Sequence, residues 1–176
     1  HGEMLGEHGL WRKMNFYEQS SGVPLQIVWP GVMPGGLRVP YTVSLVDVTA
    51  TVLDMSGLSE EERWARGVDG ISLAPSLLGS QVPWQDQAVV EYMAHGTDRL
   101  RGMVRSSKWK LSYSHGEVPE LELYDIDADH GEFNNLAGRP EHLEVQDNLL
   151  ASLMRMWGDP SSITRQVIAS QEDRYL

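Results

Sequence analysis

The second half of the chain alternates short apolar runs with turn-forming residues, a pattern that predicts a small β-sheet. Four such runs are rich in aliphatic and aromatic residues, and turn-forming residues such as Gly96, Ser106 and Gly116 lie between them. Because the connections between them are short, we expect the runs to pair as an antiparallel meander. The predicted strands are residues 88–93, 100–105, 109–114 and 121–126.

Helical periodicity follows the predicted sheet. Over residues 140–157 the apolar side chains recur on one face at helical spacing, and Asp159-Pro160 interrupts the pattern. A last short helix is predicted for residues 161–171. The pattern of the second half therefore predicts a four-stranded sheet with a packed helix.

The first half contains fewer regular signals. Residues 44–55 predict a helix, because Ser44 and Asp47 have the spacing of a capping box and Gly57 follows the apolar pattern. The apolar run 23–29 lies between turn signals and predicts a buried strand. A loss of pattern and two prolines place a subdomain boundary near residues 80–87, which predicts domains over 1–80 and 81–176.

Charge and composition remove several classes of function. The 176 residues contain 14 Lys and Arg against 25 Asp and Glu, a formal net charge of −11. Such an acidic chain is a poor binder of nucleic acid or of an anionic membrane surface, so we expect neither as a partner. Cysteine is absent, which excludes a disulfide, a thiolate metal site and a Cys nucleophile within this chain.

The Gly-rich opening segment carries the first candidate chemistry. By residue type alone, His1 and His8 could bind a metal or transfer protons, and Lys13 beside a Gly-rich loop could stabilise an oxyanion. The alternative is that all three are solvated surface groups.

Glu91 is a second candidate, because it falls in the middle of an apolar predicted strand. Alternation places it on one face with Val89 and Met93, where an unpaired carboxylate would be costly. Two alternatives stay open: Glu91 pairs with an arginine such as Arg105, or it faces a binding pocket.

The order of residues in the opening segment resembles the sulfatase family of the alkaline phosphatase superfamily. The matching pattern is His1-Gly-x-x-x-Gly-Glu-His8-Gly-x-x-x-Lys13, followed by Tyr17-Glu18. The resemblance extends to about residue 157 and looks most like the branch that contains choline sulfatases. Further matching runs, in chain order, are 43–51, 69–73, 91–92, 103–105 with 109–110, 122–125 and 129–137.

The resemblance implies an α/β fold and a sulfuric ester hydrolase. We expect residues 1–80 to end a large mixed-sheet catalytic domain and residues 81–176 to form a small C-terminal domain. Family members use a formylglycine nucleophile made within a Cys/Ser-x-Pro-x-Arg motif, which this sequence lacks. We therefore expect the chain to be the C-terminal portion of a sulfatase, inactive alone, whose partners are its missing N-terminal part and a small-molecule sulfate ester.

Site roles are also implied by the resemblance. Lys13 matches the lysine that contacts the sulfate and the bridging oxygen. His1 matches the residue that reaches the divalent cation or the bound ester oxygen. The family default for that cation is Ca²⁺, with Mn²⁺ or Mg²⁺ as alternatives. His8 and Glu91 are expected substrate contacts, and a Glu91 that faces the pocket would attract a cationic alcohol such as choline.

Two rival functions remain open at this stage. One is a phosphonate or phosphodiester hydrolase on the same scaffold, and the other is a non-catalytic fragment or binding module. Self-association into a homo-oligomer and the choice between bacterial cytoplasm and periplasm are likewise left open by the sequence.

Overall fold

A computed structural model describes residues 2–94 and 99–173. Contacts within the chain group the described residues into two compact units. The sheet unit consists of residues 1–24 and 89–176, and the helical unit consists of residues 25–88. The domain boundary predicted near residues 80–87 stays a prediction.

The sheet unit is built on four strands in the order β1-β2-β3-β4. The pairs β2–β3 and β3–β4 are antiparallel, with Met103 opposite Ser112 and Leu111 opposite Leu123. This arrangement confirms the predicted meander. The strands are β1 (Ala88–Tyr92), β2 (Arg101–Arg105), β3 (Trp109–Ser114) and β4 (Glu120–Asp125).

One face of the sheet forms the hydrophobic core against a long helix, α5 (Leu143–Trp157). Leu111 and Leu123 are fully buried there, and they pack with Leu153 and Trp157 of the helix. A further helix, α6 (Pro160–Glu172), follows, and the Asp159 carboxylate accepts hydrogen bonds from two of its first backbone N–H groups. Both helices were predicted from the pattern.

The opposite face of the sheet is polar and lies under the opening segment of the chain. Because side chains alternate along a strand, Arg101, Arg105 and Lys110 point away from the core face. They meet residues 13–21, which end in a short helix, α1 (Glu18–Ser21). The sheet therefore supports on its polar side the segment that carries the candidate lysine.

The helical unit contains α2 (Leu45–Met55), α3 (Glu60–Ala65) and α4 (Ala74–Leu77). The predicted capping box is present, because the Asp47 carboxylate accepts a hydrogen bond from the Ser44 N–H at 2.7 Å. Asp47 also accepts one from the Ile71 N–H at 3.0 Å, so it joins α2 to the loop before α4.

The strand predicted over residues 23–29 is wrong for this chain. These residues have no regular secondary structure and pair with no strand among the described residues, and Val28 is 71% exposed. An apolar run becomes a strand only where a neighbour accepts its backbone hydrogen bonds. Among the helices that the structure describes, none is both long enough and apolar enough to span a membrane.

Candidate functional site

The opening segment is an irregular loop with a defined backbone. Leu5, His8 and Arg12 all adopt positive φ, a conformation that L-residues rarely take. The Met4 N–H donates to the Arg12 carbonyl at 2.9 Å, which folds the loop back on itself. Clustered left-handed residues of this kind persist only where surrounding contacts fix them, and they are typical of functional segments.

Ser20 of α1 ties the two ends of this loop together. Its carbonyl accepts a hydrogen bond from the Gly2 N–H at 2.9 Å, and its hydroxyl donates to the Lys13 carbonyl at 2.6 Å. Gly2 has no room for a side chain, because a Cβ there would collide with the Gln19 carbonyl. Both ends of the loop, at Gly2 and at Lys13, are thus hydrogen-bonded to the same buried serine.

The Lys13 ammonium is accessible. It forms an ion pair with Glu3 at 3.2 Å, and the two side chains are 44% and 41% exposed. Exposed pairs of this kind contribute little to stability, so a bound anion could displace the carboxylate readily. The backbone of Lys13 is therefore fixed, whereas its charged end is free to exchange partners.

His8 lies inside an aromatic stack. Its ring is 3.9 Å from the Tyr17 ring and 4.6 Å from the Phe133 ring, centroid to centroid, and nearly parallel to the former. Nε2 lies 2.8 Å from the Gly131 carbonyl oxygen. A carbonyl only accepts, so Nε2 donates this hydrogen bond to Gly131. The predicted substrate contact of His8 stays a prediction.

A buried ion cluster lies directly beneath the loop. Lys110 of β3 is fully buried, and its Nζ is 2.7 Å from both the Glu18 and the Glu132 carboxylates. The same ammonium donates to the Phe16 carbonyl at 2.8 Å. Arg105 reaches the Glu18 carboxylate at 3.2 Å. Each buried charge in this group therefore has an opposite charge in contact.

Charge balance sets the pKa of Glu18. Burial alone would raise it, but Lys110 and Arg105 together hold the pKa of Glu18 below its ordinary value. Glu18 is consequently ionised over the whole neutral range. The Glu18 carboxylate therefore contacts Lys110 and Arg105 of the sheet as an anion.

The pKa of Glu122, in β4, is shifted in the opposite direction. Burial raises the pKa of Glu122, the nearby Glu132 raises it further, and Arg101 offsets only part of the effect. Burial and the charge of Glu122 also raise the pKa of both neighbouring phenols, Tyr17 and Tyr124. The two tyrosines thus remain neutral hydrogen-bonding groups beside a carboxylate.

The structure gives Glu91 a partner that the sequence did not suggest. The Trp157 indole Nε1–H donates to the Glu91 carboxylate at 3.0 Å, on the face where Val89 and Met93 pack on the core. The expected alternative partner, Arg105, contacts Glu18 instead. A role of Glu91 in substrate binding stays a prediction.

The predicted metal ligand His1 lies outside the described residues. Within residues 2–94 and 99–173 there is no group of three or more His, Cys, Asp or Glu side chains that could hold a metal ion. The described part of the chain therefore presents Lys13 and His8 on one loop. It brings Glu91 to the core face, away from the loop-bearing face of the sheet.

Sequence reasoning missed the ion cluster under the loop. Lys110, Glu18 and Glu132 all belong to the runs that carried the family resemblance, but none was singled out for the site. A signal was available, since Lys110 stands between Trp109 and Leu111 in a predicted strand and a lysine there needs buried partners.

The chain is similar in sequence to known proteins. Residues 6–158 match the family model for N-sulphoglucosamine sulphohydrolase, C-terminal. The chain is 43% identical over 153 residues to the choline-sulfatase of Rhizobium meliloti (strain 1021), a match that covers 86% of this chain and 28% of that protein. It is 32% identical over 182 residues to arylsulfatase K of Danio rerio, covering 100% of this chain and 33% of that protein.

A solved structure shares the fold. The structure of BT4656 in complex with its substrate D-glucosamine-2-N,6-O-disulfate matches with a TM-score of 0.71 and 28% identity. The match covers 90% of this chain and 34% of that one. The predicted α/β fold class is confirmed, and the chain spans about a third of the length of the proteins it matches.

Proposed function

The chain belongs to the N-sulphoglucosamine sulphohydrolase C-terminal family of sulfatases, and on that premise we propose that it forms the C-terminal part of an enzyme that hydrolyses sulfate esters. The observation that carries the proposal is the family match over residues 6–158, which includes the loop with Lys13. Relatives named choline-sulfatase and arylsulfatase K support the same reaction class.

In this proposal Lys13 stabilises negative charge during ester cleavage. Breaking the S–O bond places charge on the departing oxygen while the sulfuryl oxygens remain anionic. An ammonium on a fixed backbone lowers the barrier by stabilising that charge as it develops. The exposed Lys13–Glu3 pair supports this role, because the ammonium can leave Glu3 for the sulfate.

The metal and the nucleophile are proposed to involve the rest of the enzyme. A divalent cation, Ca²⁺ by family default, would supply further charge neutralisation at the sulfate oxygens when bound. His1 would be this chain's ligand to it. Because the described residues form no metal-binding cluster, the ion would need ligands from elsewhere in the enzyme. The formylglycine nucleophile is likewise proposed for a part of the enzyme outside this sequence.

The alcohol half of the ester is proposed to be small and cationic. The likeness to a choline-sulfatase at 43% identity supports this choice over a neutral sugar. We propose that His8, which lies on the loop that carries Lys13, contacts it through its ring. Glu91 lies on the opposite face of the sheet, so we propose that its charge attracts a cationic alcohol at longer range.

The test is an assay of the complete enzyme on four esters. Choline sulfate and an aryl sulfate are compared with an aryl phosphate and an aryl phosphonate under identical conditions. We expect the highest kcat/KM on choline sulfate. Higher kcat/KM on the phosphorus esters would favour the phosphonate or phosphodiester hydrolase, and no turnover of any ester would favour a non-catalytic module.

A further inference from the structure

The Lys110 ammonium contacts both ends of the segment formed by residues 16–18. Its Nζ donates to the Phe16 carbonyl at 2.8 Å and contacts the Glu18 carboxylate at 2.7 Å. Lys110 is the second residue of β3, a central strand of the sheet that is hydrogen-bonded on both sides. The ammonium therefore joins an irregular loop to a central strand of the sheet.

Glu132 contacts both Lys110 and Glu18. One carboxylate oxygen contacts Lys110 Nζ at 2.7 Å, and the other accepts the Glu18 N–H at 2.7 Å. Glu132 is 1% exposed and has a positive φ of 57°. A fully buried glutamate with a left-handed backbone indicates that its side-chain direction is fixed at a local conformational cost.

A short series of contacts connects Lys110 to Lys13. Glu18 is the first residue of α1, and Ser20 of the same helix bonds to the Lys13 carbonyl at 2.6 Å. Arg101 adds a contact to the Met14 carbonyl at 3.4 Å. The backbone from Lys13 to Glu18 is thus positioned by side chains, because only its last residue lies in a helix.

We propose that Lys110, together with Glu132, is a positioning residue that fixes the catalytic lysine, Lys13, in the geometry needed for sulfate ester cleavage. The inference rests on the proposed function. Lys110 contacts neither Lys13 nor substrate, and its effect passes through Phe16, Glu18 and Ser20. Displacement of a catalytic group by about 1 Å can cost about a hundredfold in rate, which is the scale expected if this support is lost.

The test is a double-mutant cycle in the complete enzyme. Lys110→Met alone is expected to lower kcat on an aryl sulfate by about 10–100-fold while KM changes less than about threefold. In a Lys13→Ala background the same substitution should lower kcat less than about threefold further, because there is no ammonium left to misplace. Equal losses in both backgrounds would overturn the proposal.

Two further variants keep the result interpretable. Lys110→Met removes the cation that contacts the buried Glu132 carboxylate and could prevent folding, so Lys110→Met with Glu132→Gln is measured in both backgrounds as well. Leu153→Ala is the control, because it weakens the core on the other face of the sheet and should lower Tm without changing kcat. If Leu153→Ala lowers kcat as much as Lys110→Met does, the effect is general destabilisation and positioning is refuted.

Failure of the proposed function would give a different experimental result from failure of the positioning role. In that case the unmodified enzyme would not hydrolyse sulfate esters, or Lys13→Ala would leave its rate unchanged. An active enzyme that depends on Lys13 but shows additive losses with Lys110→Met would refute the positioning role alone.

Discussion

At the scale of single residues, Lys13 carries the sharpest prediction. Lys13→Ala in the complete enzyme should lower kcat by about 10²–10³, the range for removing one preorganised charge-stabilising contact. Metal content should not change, because a charged ammonium cannot ligate a cation. Steady-state kinetics together with metal analysis by mass spectrometry measures both effects. A rate within twofold of the unmodified enzyme would mean that Lys13 has no such role.

Glu91 can be tested separately from its structural contact. Glu91→Gln keeps an oxygen that can accept the Trp157 N–H, so Tm should change little. If the negative charge attracts a cationic alcohol, KM for choline sulfate should rise about tenfold, which is about 1.4 kcal/mol. KM for a neutral aryl sulfate should stay constant. Equal changes on both esters would assign Glu91 to the fold alone.

Glu122 predicts a pH dependence of stability. Its pKa is raised by burial and by Glu132, so the folded protein holds this proton more tightly than the unfolded chain does. Its contribution therefore favours folding below the ordinary glutamate pKa and is lost as pH rises through the raised value. Glu122→Gln should raise Tm at neutral pH relative to acidic pH, as measured by thermal melts from pH 4 to 7. Glu117→Gln, on the exposed β3–β4 turn, should show no such trend.

At the scale of elements, close packing between β2 and α5 predicts a strict requirement for Gly102. A Cβ at this position would collide with the Trp157 ring and would lie 2.9 Å from a Leu153 methyl carbon. Gly102→Ala should therefore destabilise the protein by about 1–3 kcal/mol, the usual cost of overpacking. Chemical denaturation measures this loss. Gly35→Ala is the matched control, because its added Cβ meets open space.

The elements that the sequence predicted correctly are those whose pattern is complete within the chain. α5 shows its apolar face in its own residues, and α2 shows its own capping box, so local physics decides both. The run 23–29 was predicted as a strand and is not one here, because strand formation depends on a neighbour that no local pattern specifies. Predicted helix and strand ends differ from the observed ones by a few residues at most in the sheet unit.

The same distinction between local patterns and long-range contacts applies to the candidate site. The motif order identified the loop and Lys13, because both lie in a contiguous segment. The ion cluster joins Glu18, Lys110 and Glu132, which are up to 114 residues apart, and a single sequence does not reveal such pairing. Trp157 as the partner of Glu91 is a contact across 66 residues and was missed for the same reason.

At the scale of the whole molecule, the chain provides one part of a proposed active site. The sheet unit fixes a loop with an accessible cation, and the sequence contains neither a cysteine nor a Ser-x-Pro-x-Arg run. Many large apolar side chains of the helical unit are exposed, with Val28 at 71%, Leu37 at 49% and Val32 at 46%. Exposed apolar residues concentrated in one segment are typical of surfaces that other protein covers.

The chain by itself should therefore show no sulfatase activity. An ammonium can stabilise developing charge, but cleavage also needs a nucleophile in line with the S–O bond, and this sequence has no candidate for the family's modified residue. We would assay the purified 176-residue chain on an aryl sulfate with Ca²⁺ or Mn²⁺ added, beside the complete enzyme at equal concentration. Lys13→Ala in the isolated chain controls for contaminating hydrolase. Turnover above background that disappears in this variant would show that the chain holds a complete site, and the proposed division of the site would be wrong.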